Sequence, residues 1–225
     1  MIPKDECRLA ASASLKNATA LYADALVLFG AQRYARCLSL SVIGVEEIGK
    51  AILYALAALD GLADLRQKLE RSKRGNPAQT HLSKQLLYQY AAIAYWQVGE
   101  YLQILAQESG DSTSVSDVEW LAELFVELIN NPSIAKVSEP SRSDKKLLTL
   151  DEKKERGFYV NLSPELGLST PEQIDLKDAE RQLTDLKSSL NDLSRFSRVL
   201  ESDDEWRLLE NSVQTARLVR PEMKT

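Results

Sequence analysis

The residues best suited to acid–base or phosphate chemistry form two short clusters. Glu46, Glu47 and Lys50 lie within a stretch, residues 37–59, that is otherwise apolar, small or hydroxylic. His81 and Lys84 form the second cluster. An imidazole can act as base or acid near neutral pH, and lysines can stabilise the charge of a phosphate. These residue types together supply a base, an acid and cations.

The charges of the first cluster lie on a helix that must be central. The pattern predicts a helix over about Gln32–Leu59, and a helix that is apolar on nearly all sides is buried. Three charges on such a helix require pairing. Lys50 lies four residues after Glu46 and three after Glu47, so it can reach either. One lysine cannot neutralise two carboxylates, and a further cation is therefore expected nearby.

The composition is that of a helical protein and disfavours one that coats nucleic acid. The chain has 225 residues, 44% hydrophobic and 27% charged, which is enough for a sizeable core. There are 28 Lys and Arg against 33 Asp and Glu, a net charge of −5, with few Gly (9) and Pro (7). A local basic patch is still compatible with this balance, and residues 61–80, which include Arg74, form a basic connection.

Several classes of site are disfavoured. One histidine is too few for Cys/His zinc clusters or an HExxH site. A helical Glu/Glu/His metal site usually needs a second ExxH pair, so neither a metal nor another cofactor is expected. Cys7 and Cys37 suit free thiols in the cytoplasm. The longest uncharged stretch, Gln85–Gly99, is too short to cross a membrane, and the N-terminus has no signal-peptide pattern.

The apolar periodicity predicts an all-α bundle of about five to six helices in one domain, residues 1–225. Helices are expected at Glu6–Phe29, Gln32–Leu59, Thr80–Gln107, Asp117–Asn130, after Pro171, and around Trp206–Leu218. Residues 131–150 are low in apolar content and are predicted to be a mobile connection. The leucine row Leu176–Leu193 can pack either in the bundle or in a homodimer.

Polar residues interrupt two of the predicted core-facing rows. Asn17 and Asp24 interleave with the first helix's row of Ala13, Leu21 and Leu28. Buried polar groups without partners cost roughly 1–3 kcal/mol, so bridging between helices and a role in a site both remain open. His81 and Lys84 begin the row of the long helix, and nearby aromatic residues are predicted to be packing residues: Tyr88, Tyr95, Trp96 and Trp120.

Three motifs, in this order, resemble the AbiV family of bacterial abortive-infection proteins, a branch of the HEPN helical superfamily. The first runs from residues 17–25 and 34–40 into Glu46-Glu47-Ile48-Gly49-Lys50, similar to the family's EExGK signature. The second is His81-Leu82-Ser83-Lys84, and the third is Arg156-Gly157-Phe158-Tyr159-Val160-Asn161. Asn161 stands where the family more usually has an acid.

The resemblance implies phage defence by arrest of growth or translation. The wider superfamily includes metal-independent ribonucleases that pair an Arg with a His in a dimer cleft. Arg74 and His81 have a matching spacing, but Arg74 precedes Pro77 in a loop, so the ribonuclease motif is not carried over directly.

We therefore predict a Glu/Lys/His/Arg site that acts on RNA. The lysines and Arg156 would stabilise phosphate, and Tyr159 would position a phosphate or stack on a base. The candidate catalytic residues are Glu46, Glu47, Lys50, His81, Lys84, Arg156 and Tyr159. The candidate substrate-binding residues are Asn17, Asp24, Arg74, Lys154 and Asn161.

Two alternatives stay open at this point. The charged residues can instead form a buried ion-pair network with no catalytic role. The protein can also be a non-catalytic interaction module that binds a phage protein or the translation machinery, and a homodimer is expected in either case.

Overall fold

A computed structural model describes residues 1–62, 65–70, 76–109, 116–131, 134, 154–155, 157–159, 161–163 and 167–219. The predicted residues Arg74 and Arg156 lie outside this part of the chain. So does most of the 131–150 connection, of which only Asn131 and Ile134 are described.

The described residues form an α-helical bundle, which confirms the predicted fold class. They contain eight α-helices, two more than the upper prediction. Two 3₁₀ turns, Pro77–Gln79 and Pro171–Gln173, precede long helices. Strands β1 (Asn161–Ser163) and β2 (Gly167–Ser169) form a short antiparallel pair. The α-helices are α1 (Lys4–Gly30), α2 (Tyr34–Ala58), α3 (Leu65–Leu69), α4 (His81–Ser109), α5 (Asp117–Asn130), α6 (Leu176–Asp192), α7 (Ser194–Glu201) and α8 (Asp203–Val219).

Helix α2 is the central element, as its apolar sequence predicts. It packs against α1, α4 and α6, and most of its residues are buried, including Val45, Ile48 and Ile52. A helix surrounded on three sides needs apolar residues around nearly its whole circumference. The two carboxylates on this helix are therefore buried as well, which decides how they must be paired.

The predicted core-facing row of α1 is wrong for most of its length, although Leu28 at its end packs against a small buried cluster. Asn17, Asp24 and Ala13 are exposed, and α1 instead buries the neighbouring row of Cys7, Ala11, Leu15, Ala18 and Ala25. This row follows the spacing of three to four residues that defines one helix face. Its small side chains let α1 lie close along α2.

The start of α6 also differs from the prediction. Thr170 begins the 3₁₀ turn, and its backbone N–H donates to Oε1 of Gln173 at 3.1 Å. The α-helix starts at Leu176, where the side chain of Asp175 accepts from the backbone N–H of Asp178 at 2.9 Å. The sequence Thr170-Pro171-Glu172-Gln173 predicts the start of this helix, because Pro171 takes the first helical position and Gln173 completes a capping box. The turn that it forms is separate from α6.

The leucine row of α6 packs inside the bundle. Leu183, Leu186 and Leu193 are buried, and Leu190 packs against the main core, whereas Leu176 is exposed. For most of its length, therefore, the leucine row packs in the bundle rather than in a homodimer interface. A homodimer would have to use another surface.

Three of the four predicted packing aromatics lie in or against the core. Trp120 is buried, and Tyr88 and Tyr95 pack against the main cluster. Trp96 is 73% exposed, so its predicted packing role is wrong. Trp96 directly follows Tyr95 and is rotated by about 100° around the helix, which places it on a different face.

Among the described helices, none is both long enough and apolar enough to span a membrane.

Candidate functional site

The two adjacent carboxylates of α2 have different partners. Glu47 accepts a hydrogen bond from Lys50 Nζ at 2.6 Å, so the pair is the i,i+3 one. Glu46 is directed instead toward the start of α4 and toward Lys154. Neighbouring helix residues are rotated by about 100°, so Glu46 and Glu47 belong to separate ion-pair groups.

Glu46 is almost completely buried and is surrounded by four donors. His81 Nδ1 lies 2.6 Å from Oε2, and Lys84 Nζ lies 3.2 Å from the same oxygen. Gln85 Nε2 donates to Oε1 at 3.0 Å, and Lys154 Nζ donates to it at 3.1 Å. Each carboxylate oxygen therefore has two partners. These five residues are called the Glu46 cluster below.

The cluster keeps the Glu46 carboxyl ionised. Burial alone would raise its pKa, but the His81 hydrogen bond and the charges of Lys84, His81 and Lys154 outweigh burial. The result is a pKa of about 2, against an ordinary value of 4.5. The cations also confirm the expectation that Lys50 could not serve both carboxylates.

The ionised carboxylate fixes the orientation and tautomer of His81. At 2.6 Å from a carboxylate oxygen, Nδ1 must carry a proton and donate it. Lys154 Nζ, 3.1 Å from Nδ1, then has Glu46 rather than the ring as its acceptor. The His81 side chain is 51% exposed. Its Nε2 has no hydrogen-bond partner within the described part of the chain, and this nitrogen is available to a ligand.

A glycine brings α4 close enough to α2 for these contacts. A Cβ at Gly49 would overlap the carbonyl oxygen of Lys84. Gly49 follows Glu46 by nearly one helical turn, so the close approach occurs beside the buried carboxylate. The close packing of α4 on α2 therefore requires a glycine at this position of the EExGK signature.

A second close approach positions Lys154. The Ser39 hydroxyl donates to the backbone carbonyl of Lys154 at 2.7 Å. A Cβ at Gly157 would overlap both the Ser39 hydroxyl and the Ala35 carbonyl. The segment that carries the third motif thus lies directly on α2, which lets Lys154 reach Glu46 across 108 residues of sequence.

The structure brings together only part of the predicted site. Tyr159 is 62% exposed, next to the ring of Phe158 at 6.2 Å between centroids. Glu47 and Lys50 form a neighbouring pair rather than joining the cluster. For Asn161, the described feature is its backbone pairing with Ser169.

Two contributions were missed from the sequence. Gln85 was not singled out, although it follows Lys84 directly and fills one of the four donor positions. Lys154 was predicted to bind substrate, but its contact with the buried carboxylate was not predicted. Because α2 has fewer cations than carboxylates in this region, the sequence predicted a further cationic partner, but it did not indicate which residue this would be.

The cluster has an excess of positive charge beside a half-exposed imidazole. One carboxylate faces two lysines, Lys84 and Lys154, both largely buried. Such an arrangement attracts an anion to the rim, where His81 can exchange a proton with it.

Acid is expected to destabilise the protein through Glu46. Its pKa is lower in the folded protein than in the unfolded chain, so its stabilisation is complete above about pH 4.5 and is lost as the pH falls toward 2. The loss amounts to about 3 kcal/mol. Urea unfolding at a series of pH values measures it, and Glu46→Gln should show a correspondingly shallower dependence. Equal slopes for the two proteins would contradict the assignment.

A comparison with protein families identifies the AbiV family model as a match over residues 6–191. This region includes nearly all of α1 and α6 and the whole of α2 to α5. Searches of the curated proteins and of the solved structures gave no significant match.

Proposed function

Because the chain belongs to the AbiV family of the HEPN superfamily, we propose that it is a phage-defence protein that arrests growth or translation by cleaving RNA at the Glu46 cluster. The observation that carries the proposal is the His81 imidazole, held by buried Glu46 through Nδ1 with half of its side chain exposed. A carboxylate that orients an imidazole in this way prepares the other nitrogen for proton transfer.

The proposed reaction uses the 2′-hydroxyl of RNA as the nucleophile. His81 Nε2 accepts the proton of this hydroxyl while the 2′ oxygen forms a bond to the adjacent phosphorus. The bond from phosphorus to the 5′ oxygen breaks, and that oxygen takes a proton from water. The products are a 2′,3′-cyclic phosphate and a 5′-hydroxyl end. No oxidant or metal is needed to balance this step.

The lysines stabilise the charge that develops on the phosphorus oxygens. Lys84 and Lys154 are held within 3.2 Å of Glu46 and are largely buried, so they would act on the phosphate through their fixed charge rather than by direct contact. The exposed rings of Phe158 and Tyr159 lie four and five residues after Lys154 and offer stacking surfaces for unpaired bases. This favours single-stranded RNA as the substrate.

The decisive experiment compares wild type with His81→Ala. Expression of the wild type is expected to arrest growth and to fragment cellular RNA, and the purified protein should cleave single-stranded RNA to 5′-hydroxyl products. His81→Ala should lower the cleavage rate by about 100-fold or more, as expected for loss of a general base. Gln97→Ala, at an exposed position on the same helix, should cleave like wild type. Circular dichroism checks that each variant is folded.

Cleavage that persists in folded His81→Ala would overturn the proposed mechanism. Growth arrest with intact RNA, unchanged by this substitution, would overturn the ribonuclease function as a whole and leave the Glu46 cluster as a structural ion-pair network.

A second candidate function, a non-catalytic interaction module, is favoured by an exposed apolar face on α4. Ile93, Trp96 and Ile104 are all more than half exposed and lie on one side of the helix. Such a face suits a phage protein, the translation machinery or a second copy of the chain. If Ile93→Glu abolishes growth arrest while His81→Ala preserves it, this function replaces the first. Light scattering of the purified protein tests the predicted homodimer.

A further inference from the structure

A small cleft lies between α4 and α6, on the row of α4 that begins at His81. Tyr88, Tyr95 and Trp96 line it from α4, and Ser189 and Asp192 line it from α6. Its volume is about 40 Å³, enough for a group of a few heavy atoms and too small for a nucleobase. None of its polar groups contacts the Glu46 cluster in the described structure, so this cleft is a separate feature.

The hydroxyl groups of Ser189 and Tyr88 already donate their protons in hydrogen bonds. The Ser189 hydroxyl donates to the carbonyl of Asp185 at 2.8 Å. Ser189 Oγ must therefore accept, at 2.7 Å, the hydrogen bond that joins it to the Tyr88 hydroxyl. The Tyr95 hydroxyl lies beside the Asp192 carboxylate, which can only accept hydrogen bonds when ionised. The remaining capacity of these oxygens is to accept hydrogen bonds.

Asp192 lies in the cleft outside any salt bridge. In the part of the chain that the structure describes, no Lys, Arg or His nitrogen lies within ion-pair distance of its carboxylate, which lies beside Tyr95. Burial raises the pKa of its carboxyl, and the Tyr95 hydrogen bond only partly offsets this. Arg195, three residues further on, is directed away from Asp192: it lies over the ring of Trp120 and shares Asp117 with Arg198, at 3.4 Å and 2.5 Å respectively.

The aromatic residues that line the cleft also favour a positively charged ligand. Aromatic faces attract cations, and tryptophan does so most strongly. Trp96 is largely exposed at the mouth of the cleft, whereas Tyr95 is held against Trp120 with ring centroids 4.6 Å apart. The cleft therefore combines acceptor oxygens, a carboxylate outside any described salt bridge and aromatic walls. This combination suits a small group that is positively charged and rich in hydrogen-bond donors.

We propose that this cleft binds the head group of an organic cation, a guanidinium or a primary ammonium on an alkyl chain. The head group would donate to Asp192 and the tyrosine oxygens, and the chain would leave past Trp96. The cation can be a free polyamine or the arginine or lysine side chain of a protein partner. The proposal does not depend on RNA cleavage.

Titrations of the full chain with n-butylguanidinium test the proposal, followed by the indole N–H signal of Trp96 in nitrogen-15 NMR spectra. The chain has three tryptophans, and Trp96→Phe identifies the signal. We expect a saturable shift with wild type and at least tenfold weaker binding to Asp192→Asn. Tyr95→Phe, which removes one acceptor, should weaken binding several-fold.

Two controls separate this site from general attraction to an acidic protein. Glu180→Gln removes one negative charge from an exposed position of α6 and should bind like wild type. n-Butylurea has nearly the same shape without the charge and should bind at least tenfold more weakly. The proposal is overturned if butylurea binds as well as butylguanidinium, if Asp192→Asn keeps wild-type affinity, or if Trp96 shows no saturable shift.

A further pair of probes distinguishes the two sources of the cation. Tighter binding of spermidine than of Nα-acetylarginine amide would support a free polyamine. The reverse order would support a side chain presented by a protein partner.

Discussion

Replacing Glu46 by glutamine is expected to lower the free energy of unfolding by about 3 to 5 kcal/mol, the usual cost of removing one partner from a buried ion pair. Glutamine keeps the size of the side chain but leaves Lys84 and Lys154 without a counter-charge. Both lysine side chains are largely buried, at 9% and 12% exposure, so water cannot replace the lost carboxylate. Urea unfolding near pH 7 measures the effect.

The neighbouring carboxylate provides the matched control. Glu47→Gln removes the same charge one position further along α2, but its single partner Lys50 is 24% exposed. Lys50 can turn toward water, so we expect a loss of about 1 kcal/mol. If both variants lose equal stability, the Glu46 cluster is not the main electrostatic contribution to the fold.

A double-mutant cycle isolates the interaction itself. Glu46→Gln in a Lys84→Met background should cost less than it does in wild type, because one of the stranded charges is gone. Strictly additive effects would show that Glu46 and Lys84 do not interact in solution.

Gly49→Ala, which adds a single methyl group, is expected to be strongly damaging. The added methyl group would overlap the backbone carbonyl of Lys84, and backbone cannot turn aside as a flexible side chain can. Overpacking of a core typically costs 1–3 kcal/mol, occasionally more, and we expect the upper end here. Because α4 must move away from α2, His81 should also lose its contact with Glu46, and RNA cleavage should fall in the variant that remains folded.

Gly99→Ala is the control for this prediction. Gly99 lies within α4, and a Cβ there meets no atom within 4 Å. Alanine at an open helical position is stabilising by roughly 0.5–1 kcal/mol. Thermal unfolding should therefore move in opposite directions for the two substitutions. A stable Gly49→Ala protein with wild-type cleavage would show that the approach of α4 to α2 is looser than described.

Much of the bundle was predictable because most of its helices are apolar on one face, whereas α2 is apolar around nearly its whole circumference. The central position of α2 follows from that pattern alone. The need for an additional cation followed from counting the charges of Glu46, Glu47 and Lys50. Both conclusions use only local sequence and the cost of burying charge.

The failures have a physical cause as well. Helix α1 has small or apolar residues on more than one face, so Asn17 and Asp24 were assigned to a buried row that lies on the exposed surface. Trp96 was grouped with Tyr95 by residue type, although adjacent helix residues point in different directions. Neither error concerns a strongly amphipathic helix.

The composition of the Glu46 cluster could not be predicted beyond its first members. Lys154 reaches Glu46 because Gly157 and Ser39 bring its segment onto α2, and such a long-range approach leaves no periodic signal. Gln85 was overlooked because a neutral side chain contributes nothing to a charge count. A contact between two distant backbone segments depends on tertiary packing, so it cannot be read from local sequence.

The wide separation of the residues around Glu46 also affects when the site can first exist. On the ribosome, chains grow at about 5–20 residues per second, so the 70 residues from Gln85 to Lys154 take roughly 4 to 14 seconds to synthesise. Throughout that interval the nascent chain has His81 and Lys84 but lacks the second lysine. A protein that attacks RNA would thus complete its site only after most of its own translation is finished, which protects the message and ribosome that produce it.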